Sequence, residues 1–438
     1  MRWLEPKGNA VSERPKATLP LRARSLNLHK PRLGDDSRRQ GRGSRHREIA
    51  LCSTYPSLRS HDVRIAMVHS FYSSAQPSGE NRVVVDQAEA LHEAGHEVLL
   101  VARHTDAEEQ QAAYALRTGF RVATGLGGDP TAEIRAFKPD IVHIQNLFPN
   151  FGTRWALGWD GPLVVSVHNY RAFCSNGVLF RDGQICHECP SHGMRHSVMH
   201  ACYRDSRLAT IPLAVSRRRD GIGLLRRADA IITTSSRSDQ LLKRYVSADL
   251  PTYLIPNFGA PPSKEPLNAA ARSGWVALGR LSAEKGFTEL AQVWPRNTPL
   301  TIIGDGPDLD RVSAAVAGKD ITLLPSVERD VLRGMLPAYV GLVFPSLWHE
   351  VAPQVVLEGL RVGLPILARS DSGIADLITE SKVGQTFSDT PSLIRGITLI
   401  TNRLDELSQE VLSTYSQQYS QEAWRIGMER VYDHASHR

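Results

Sequence analysis

Long hydrophobic runs are missing from this chain. Across its 438 residues no window approaches 18 consecutive apolar positions, so no membrane-spanning helix is expected. No internal repeat at a period of roughly 20–50 residues is visible, which excludes solenoids and propellers. A dinucleotide-binding Gly-x-Gly-x-x-Gly turn is absent after the first strand, where Ser70 to Glu80 contains only Gly79. A nicotinamide enzyme is disfavoured on that ground. The body of the chain also lacks an excess of positive charge. Residues 1–62 hold 14 Lys and Arg against 6 Asp and Glu, whereas the remaining 376 residues hold 38 against 40. The formal charge of +6 therefore resides in the N-terminal tail, and no nucleic-acid partner is expected.

What is present looks globular. Apolar residues make up 41% and charged residues 22%, and the length suits two to three domains. The tail differs: residues 1–62 are rich in Arg, Pro, Ser and Gly without an apolar period, which predicts disorder. It has no apolar core for a secretory signal, and Asp35 and Asp36 argue against a transit peptide. Val63 opens a tight strand, and a valine codon can start translation in bacteria. Much of residues 1–62 is thus expected not to be native, and a chain starting at Val63 is expected to stay active.

From Val63 onward, short apolar runs alternate with helix-length amphipathic segments, the pattern of βα units on parallel sheets. Strands are predicted at 63–69, 97–103, 140–145, 163–168, 229–234 and 252–256. A second series is predicted at 275–279, 300–303, 321–324, 340–344 and 365–368. The Pro-rich stretch from Gly259 to Pro266 separates the two series. The reading is α/β, two doubly wound domains at 63–262 and 263–420, with ligands beyond the carboxyl ends of the strands. Residues 421–438 are read as a C-terminal helix packing back on the first domain.

Three segments carry chemistry. Gly279-Arg280-Leu281-Ser282-Ala283-Glu284-Lys285-Gly286 follows a strand, so Arg280 and Lys285 are placed to clamp a pyrophosphate; a solvated basic pair is the alternative. Gly304-Asp305-Gly306-Pro307 is a turn into a helix, and Asp308 and Asp310 behind it are read as first-turn acids rather than metal ligands. Glu350 and Glu358 flank a helix expected to begin near Ala352. There the N–H groups of Val351 and Ala352 can meet phosphate or sugar oxygens while the carboxylates accept from hydroxyls. Gly79 is either a plain helix-start glycine or a point where backbone approaches an anion.

Together these segments resemble glycosyltransferase family 4, over nearly all of residues 63–430. Pro139-Asp140-Ile141-Val142-His143, Val167-His168-Asn169-Tyr170 and Ile255-Pro256-Asn257 extend the likeness. The resemblance implies the GT-B fold, two Rossmann-like domains facing a cleft. It also implies a retaining transfer of sugar from a nucleotide-sugar donor with no required metal. Arg280 and Lys285 would hold the diphosphate, Glu350 the donor-sugar hydroxyls and Glu358 the ribose. Gly79 would let the acceptor-side loop approach the donor, and His168 would lie beside the transferred sugar. Two departures stand out. Pro353 removes a backbone N–H, and Gln145 stands where a second histidine is common, so it is given no role.

Four of the five cysteines cluster: Cys174, Cys186, Cys189 and Cys202. Four thiolates would satisfy a structural zinc, while free thiols or a Cys186/Cys189 redox pair are the alternatives. Some polysaccharide enzymes of the family resemble this 174–202 insert, which is expected to shape the acceptor pocket. Ser216-Arg217-Arg218-Arg219 and Leu224-Leu225-Arg226-Arg227 read either as a basic helix touching anionic lipid or as a solvated charged face. A cytoplasmic glycosyltransferase of cell-surface polysaccharide synthesis follows, peripheral on the inner face of the membrane, with a glycan or lipid-linked acceptor. A sugar-nucleotide epimerase and a non-catalytic nucleotide-sugar-binding protein stay open as alternatives.

Overall fold

The computed structural model describes residues 63–74, 79–217, 222–262 and 269–437. The expectations for residues 1–62, for Arg218 and Arg219, and for Ser263 to Pro266 lie outside the described residues. Two all-parallel sheets of six strands dominate the rest. The first contains β1 (Arg64–Phe71), β2 (Glu97–His104), β3 (Ile141–Asn146), β4 (Leu163–Val167), β7 (Ala230–Thr233) and β8 (Thr252–Leu254), in the order β2-β1-β3-β4-β7-β8. Within it a small antiparallel hairpin, β5 (Phe180–Arg181) and β6 (Gln184–Ile185), interrupts the βα alternation.

The second sheet contains β9 (Trp275–Leu278), β10 (Leu300–Ile303), β11 (Ile321–Leu324), β12 (Gly341–Phe344), β13 (Ile366–Arg369) and β14 (Gly384–Phe387), in the order β11-β10-β9-β12-β13-β14. Eleven of these strands coincide with the predicted apolar runs to within two residues at either end. The hairpin and β14 were not predicted, because two-residue strands and the sequence Gly-Gln-Thr-Phe carry no apolar run.

Central strands are buried and mainly apolar because each face is covered by helices, with His69 and Ser70 of β1 and Gln145 and Asn146 of β3 falling in their carboxyl halves. In β1, Ile65 and Met67 face one core, and Ala66 and Val68 face another. The same alternation puts Trp275 and Ala277 of β9 in one core and Val276 and Leu278 in a second. The helix Leu404–Gln418 places Val411 and Tyr415 in the second domain's core. Ser420 then caps the helix Gln421–Ser436, its Oγ accepting from Ala423 N at 3.2 Å. That last helix returns to the first sheet. Trp424, Met428, Val431, Tyr432 and Ala435 recur at helical spacing and pack on Ile65, Met67 and Ile141. Burial of each large side chain contributes about 2 kcal/mol, enough to anchor the terminus across both domains. No helix among the described residues is long and apolar enough to cross a membrane.

Candidate active site

In the second sheet the order reverses between β9 and β12, so the crossovers leave in opposite directions and open a crevice there. The loops after these strands carry Arg280, Lys285 and Glu350. Glycines make the crevice possible. A Cβ on Gly304 would lie 1.9 Å from the carbonyl of Gly279, and one on Gly306 would lie 2.2 Å from that of Leu281. Backbone bonds join the two turns: Leu281 N–H donates to Asp305 O at 2.8 Å and Asp308 N–H to Leu281 O at 2.9 Å. Gly286, at φ +70°, presses so close to the Pro345 carbonyl that a Cβ would sit 2.3 Å from it. The Gly-Arg-Leu segment is thereby locked to both neighbouring turns. Asp308 and Asp310 stand at the start of the helix Leu309–Val316, as read from the sequence.

Lys285 Nζ donates to Glu350 Oε1 at 2.7 Å, and the hydroxyl of Ser346 donates to the same oxygen at 2.7 Å. Glu350 is 5% exposed, and Gly373 lies against its backbone. Lys285 also sits over the Trp348 ring at 5.6 Å. Arg280 is exposed and makes no hydrogen bond or ion pair among the described residues. Glu358 is buried too, but both its oxygens are taken, by Nε of Arg329 and Nε of Arg333. Sequence reasoning missed these two arginines, since nothing in their local sequence points to a carboxylate 29 and 25 residues onward.

The helix behind Glu350 begins at Gln354 rather than near Ala352. Pro353 forces the residue before it out of helical geometry, so the loop runs two residues longer than expected. The carbonyl of Val351 accepts from Thr234 Oγ1 of the first domain at 3.1 Å, and its side chain enters that domain's core. Among the described residues no backbone carbonyl takes the N–H of Val351 or Ala352.

The facing wall comes from β1, β3 and β4. Gly79 opens the helix Gly79–Glu93, and a Cβ there would meet Gln354 Cγ at 3.3 Å, so the two domains touch at this glycine. Tyr170 and Trp348 meet edge to face at 6.5 Å, bringing the loops after β4 and β12 together. His168 Nε2 lies 2.6 Å from Gln145 Oε1, while Gln145 Nε2 donates to Gln87 Oε1 at 3.1 Å. Gln87 Nε2 in turn donates to Asn257 Oδ1 at 3.2 Å. This chain of amides fixes the proton of His168 on Nε2 and leaves Nδ1 as the acceptor. Burial, with His69 nearby, pushes the His168 pKa down to about 3, so the imidazole is neutral at physiological pH. Gln145, given no role from the sequence, is the group that holds His168.

Next to His168, Asn169 Nδ2 reaches Glu80 Oε2 at 3.5 Å. Burial raises the Glu80 pKa to about 7, against the opposing pull of Arg171. Neither Glu80 nor Arg171 was a predicted site residue. Glu80 is separated from Asn169 by 89 positions, so only the fold reveals the pair.

The cysteine-rich insert follows β4. Cys174, Cys186, Cys189 and Cys202 are free, and burial, with the other three thiols nearby, pushes the Cys189 thiol up. Cys174 Sγ donates to Asn176 Oδ1 at 2.8 Å. Among the described residues, no three of the sulfurs lie within 4.8 Å of one another. The trio of ligand atoms that does is Glu188, His196 and His200. Of the predicted basic surface, Arg226 is exposed. Arg227 instead turns inward to the carbonyls of Trp159 and Gly161 at 2.6 and 3.0 Å. Arg217 is also turned inward, lining a cavity.

Residues 77–258 match the family model described as Glycosyltransferase Family 4, and residues 272–402 match Glycosyl transferases group 1. The chain belongs to the family 4/group 1 glycosyltransferases. This glycosyltransferase is 29% identical over 113 residues to the sulfoquinovosyl transferase of Arabidopsis thaliana, a match covering 25% of its own length and 22% of the relative's. Its fold is similar to sucrose-phosphate synthase of Thermosynechococcus elongatus, with TM-score 0.59, 18% identity and coverage of 85% and 98% of the two chains. The catalytic domain of Arabidopsis starch synthase IV, bound to ADP and acarbose, gives 0.58 at 13% identity, covering 86% and 100%. Anabaena HepE bound to UDP and glucose gives 0.51 at 14%, covering 85% and 99%. These likenesses, with the two parallel-sheet domains, establish the GT-B fold.

Proposed function

We propose that this glycosyltransferase moves a hexose from a nucleotide-sugar donor to a hydroxyl of a glycan or lipid-linked acceptor, with retention at the anomeric carbon. The observation that carries the reading is the switch-point crevice, where an unpartnered Arg280 stands beside a Lys285–Glu350 pair. Lys285 has three N–H donors and spends one on Glu350, leaving two for phosphate oxygens. Glu350 Oε1 takes Lys285 and Ser346, and Oε2 is left to accept from sugar hydroxyls. Similar folds have been captured with UDP and with ADP, which supports a nucleoside diphosphate in this crevice.

In the reaction, the bond from the anomeric carbon to the diphosphate oxygen breaks and a bond to the acceptor oxygen forms on the same face. The acceptor proton passes to the departing diphosphate oxygen. Arg280 and Lys285 stabilise the negative charge where it grows. Neutral His168 accepts from a sugar hydroxyl through Nδ1 without adding positive charge near the sugar carbon. Arg280→Ala and Glu350→Ala are each expected to cut turnover at least tenfold with an unchanged circular dichroism spectrum; near-wild-type rates would refute the site. Donor conversion without any acceptor would instead indicate an epimerase.

A role in cell-surface polysaccharide synthesis at the inner face of the membrane draws support from an apolar patch. Leu116 and Phe120 lie one turn apart on the helix Tyr114–Thr124, and Leu208, Ile211 and Val215 recur on the helix Arg207–Ser216. All five are exposed, and the two helices pack together where Gly119 faces Pro212. Phe120→Asp is expected to reduce co-sedimentation with anionic vesicles. For the insert, we propose a structural zinc held by Cys174, Cys186, Cys189 and Cys202, which would draw the sulfurs to ~3.8 Å of one another. Less than a tenth of an equivalent of zinc in metal-replete protein would reject it.

A further inference from the structure

A cavity of about 120 Å³ lies beyond the carboxyl ends of β3 and β4, with Gln145 and His168 on its wall. Three arginines line it. Arg121 comes from the helix Tyr114–Thr124, Arg171 from the loop after β4, and Arg217 from the end of the helix Arg207–Ser216. Their partners differ. Arg121 lies 3.7 Å from the carboxylate of Glu108 and donates to Pro149 O at 3.4 Å, so its charge is answered within the protein. Arg171 donates to Ser175 O at 3.1 Å and stacks over the Phe148 ring at 4.3 Å, but its Nε is buried without a hydrogen bond.

Arg217 is the extreme case. Its Nε is also buried without a partner, and no ion pair reaches it among the described residues. The groups acting on it are a second cation, Arg171, a thiol, Cys174, and a phenol, Tyr72. Burial and Arg171 push its pKa down to about 10, which still leaves it charged at neutral pH. The carboxylate of Glu80 acts on Arg171 but does not figure among the charges acting on Arg217. Two guanidiniums whose Nε atoms are buried at the wall of one cavity repel each other, and an anion between them offsets that repulsion. The fold holds this pair at the wall of a cavity open to a ligand, adjacent to the imidazole assigned to the transferred sugar.

We propose that this cavity binds a phosphoryl group of the acceptor, held by Arg217 and Arg171, so that the enzyme's acceptor is a phosphorylated glycosyl compound. The inference rests on the reading of the β1, β3 and β4 wall as the acceptor side. Phosphate suits the site because a dianion answers two fixed cations, and guanidinium forks match its oxygens. Ile144, Val165 and Leu224 give the cavity apolar walls. A free sugar phosphate and a lipid-linked phosphate both present the same group.

The test is thermal unfolding of the full chain at constant ionic strength. Probes are inorganic phosphate, glucose 6-phosphate and glucose, and phosphatidylcholine vesicles with or without phosphatidic acid. Wild type, Arg217→Gln and Arg280→Ala are compared. A saturable rise in Tm with phosphate is expected in wild type and in Arg280→Ala, and at least tenfold weaker binding in Arg217→Gln. Without ligand, Arg217→Gln is expected to unfold no lower than wild type, because it removes a half-buried cation whose Nε has no partner. If that variant fails to fold, Arg171→Gln is used, with the same expected loss of the phosphate response. A response equal in Arg217→Gln and wild type, or abolished only in Arg280→Ala, overturns the proposal by placing phosphate elsewhere. A nucleotide-induced shift retained in Arg217→Gln keeps this outcome separate from the donor-site reading. Response to glucose 6-phosphate alone identifies a soluble acceptor, and response to phosphatidic acid vesicles identifies a lipid-linked one; each supports the phosphoryl site.

Discussion

On the wall built by β9 and β12 the groups assigned to the donor are ions, whereas on the facing wall the groups that hold His168 are neutral dipoles, the cations Arg171 and Arg217 lining the adjoining cavity. Lys285 is paired with Glu350, Glu358 with Arg329 and Arg333, and Arg280 is left exposed. Opposite them, His168, Gln145, Gln87 and Asn257 form a chain of uncharged hydrogen bonds. Burial pushes His69 down to about 4 and His143 and His168 to about 3, so three imidazoles stay neutral. The difference follows the proposed chemistry. A departing diphosphate gathers negative charge and needs fixed cations, while the sugar carbon gathers positive charge that an imidazolium would repel.

The sharpest way to break this contrast is Lys285→Ala. Loss of a charge-assisted donor is expected to lower kcat about 100-fold, and removal of the half-buried cation that answers Glu350 to cost about 1–3 kcal/mol of stability. Steady-state kinetics and denaturant unfolding read the two effects. On the neutral wall, Gln145→Leu strips the acceptor from His168 and frees the ring to turn. About a tenfold loss in kcat is expected, with little change in donor binding; a loss confined to KM would contradict the positioning role.

Acid stability sharpens the contrast further. The three buried histidines bind fewer protons folded than unfolded between about pH 4 and 6.5, so stability is present above 6.5 and lost as pH falls. Glu80 works in the opposite direction, its raised pKa losing stability as pH rises from about 4.5 through 7. One carboxyl opposes three imidazoles, so net acid destabilisation is expected. His143→Gln should lower stability at pH 7.5, because it breaks bonds to Tyr432 and Ser166, yet flatten the slope below pH 6.5. Urea midpoints at pH 7.5, 6.0 and 5.0 measure it. The smallest effect is expected of Gly79→Ala, whose Cβ needs Gln354 to yield a few tenths of an ångström; a two- to fivefold loss of turnover is about right.

The charged wall was the more legible of the two. Its groups sit in short contiguous motifs at strand ends, and the glycines of Gly-Arg-Leu and Gly-Asp-Gly-Pro announce turns that allow no side chain. The neutral wall is assembled from positions far apart in the chain. Gln145 and His168 meet only because β3 and β4 are neighbours, and Gln87 reaches them from a helix 58 residues earlier. Spacing in the insert grouped four cysteines, whereas the fold brings the ligand atoms of Glu188, His196 and His200 within 4.8 Å of one another. Arg217 read as a surface charge because its sequence neighbours are basic; the fold turns it into a cavity. Pro353 was visible, yet its delay of the helix start was not anticipated.

The most direct test of the division between the two walls is thermal unfolding against UDP, GDP, ADP and their sugars, in wild type, Lys285→Ala and Gln145→Leu. A selective upward shift from one nucleotide is expected in wild type, lost in Lys285→Ala and kept in Gln145→Leu. A shift that survives Lys285→Ala but disappears in Gln145→Leu would put the nucleotide on the neutral wall and contradict the account.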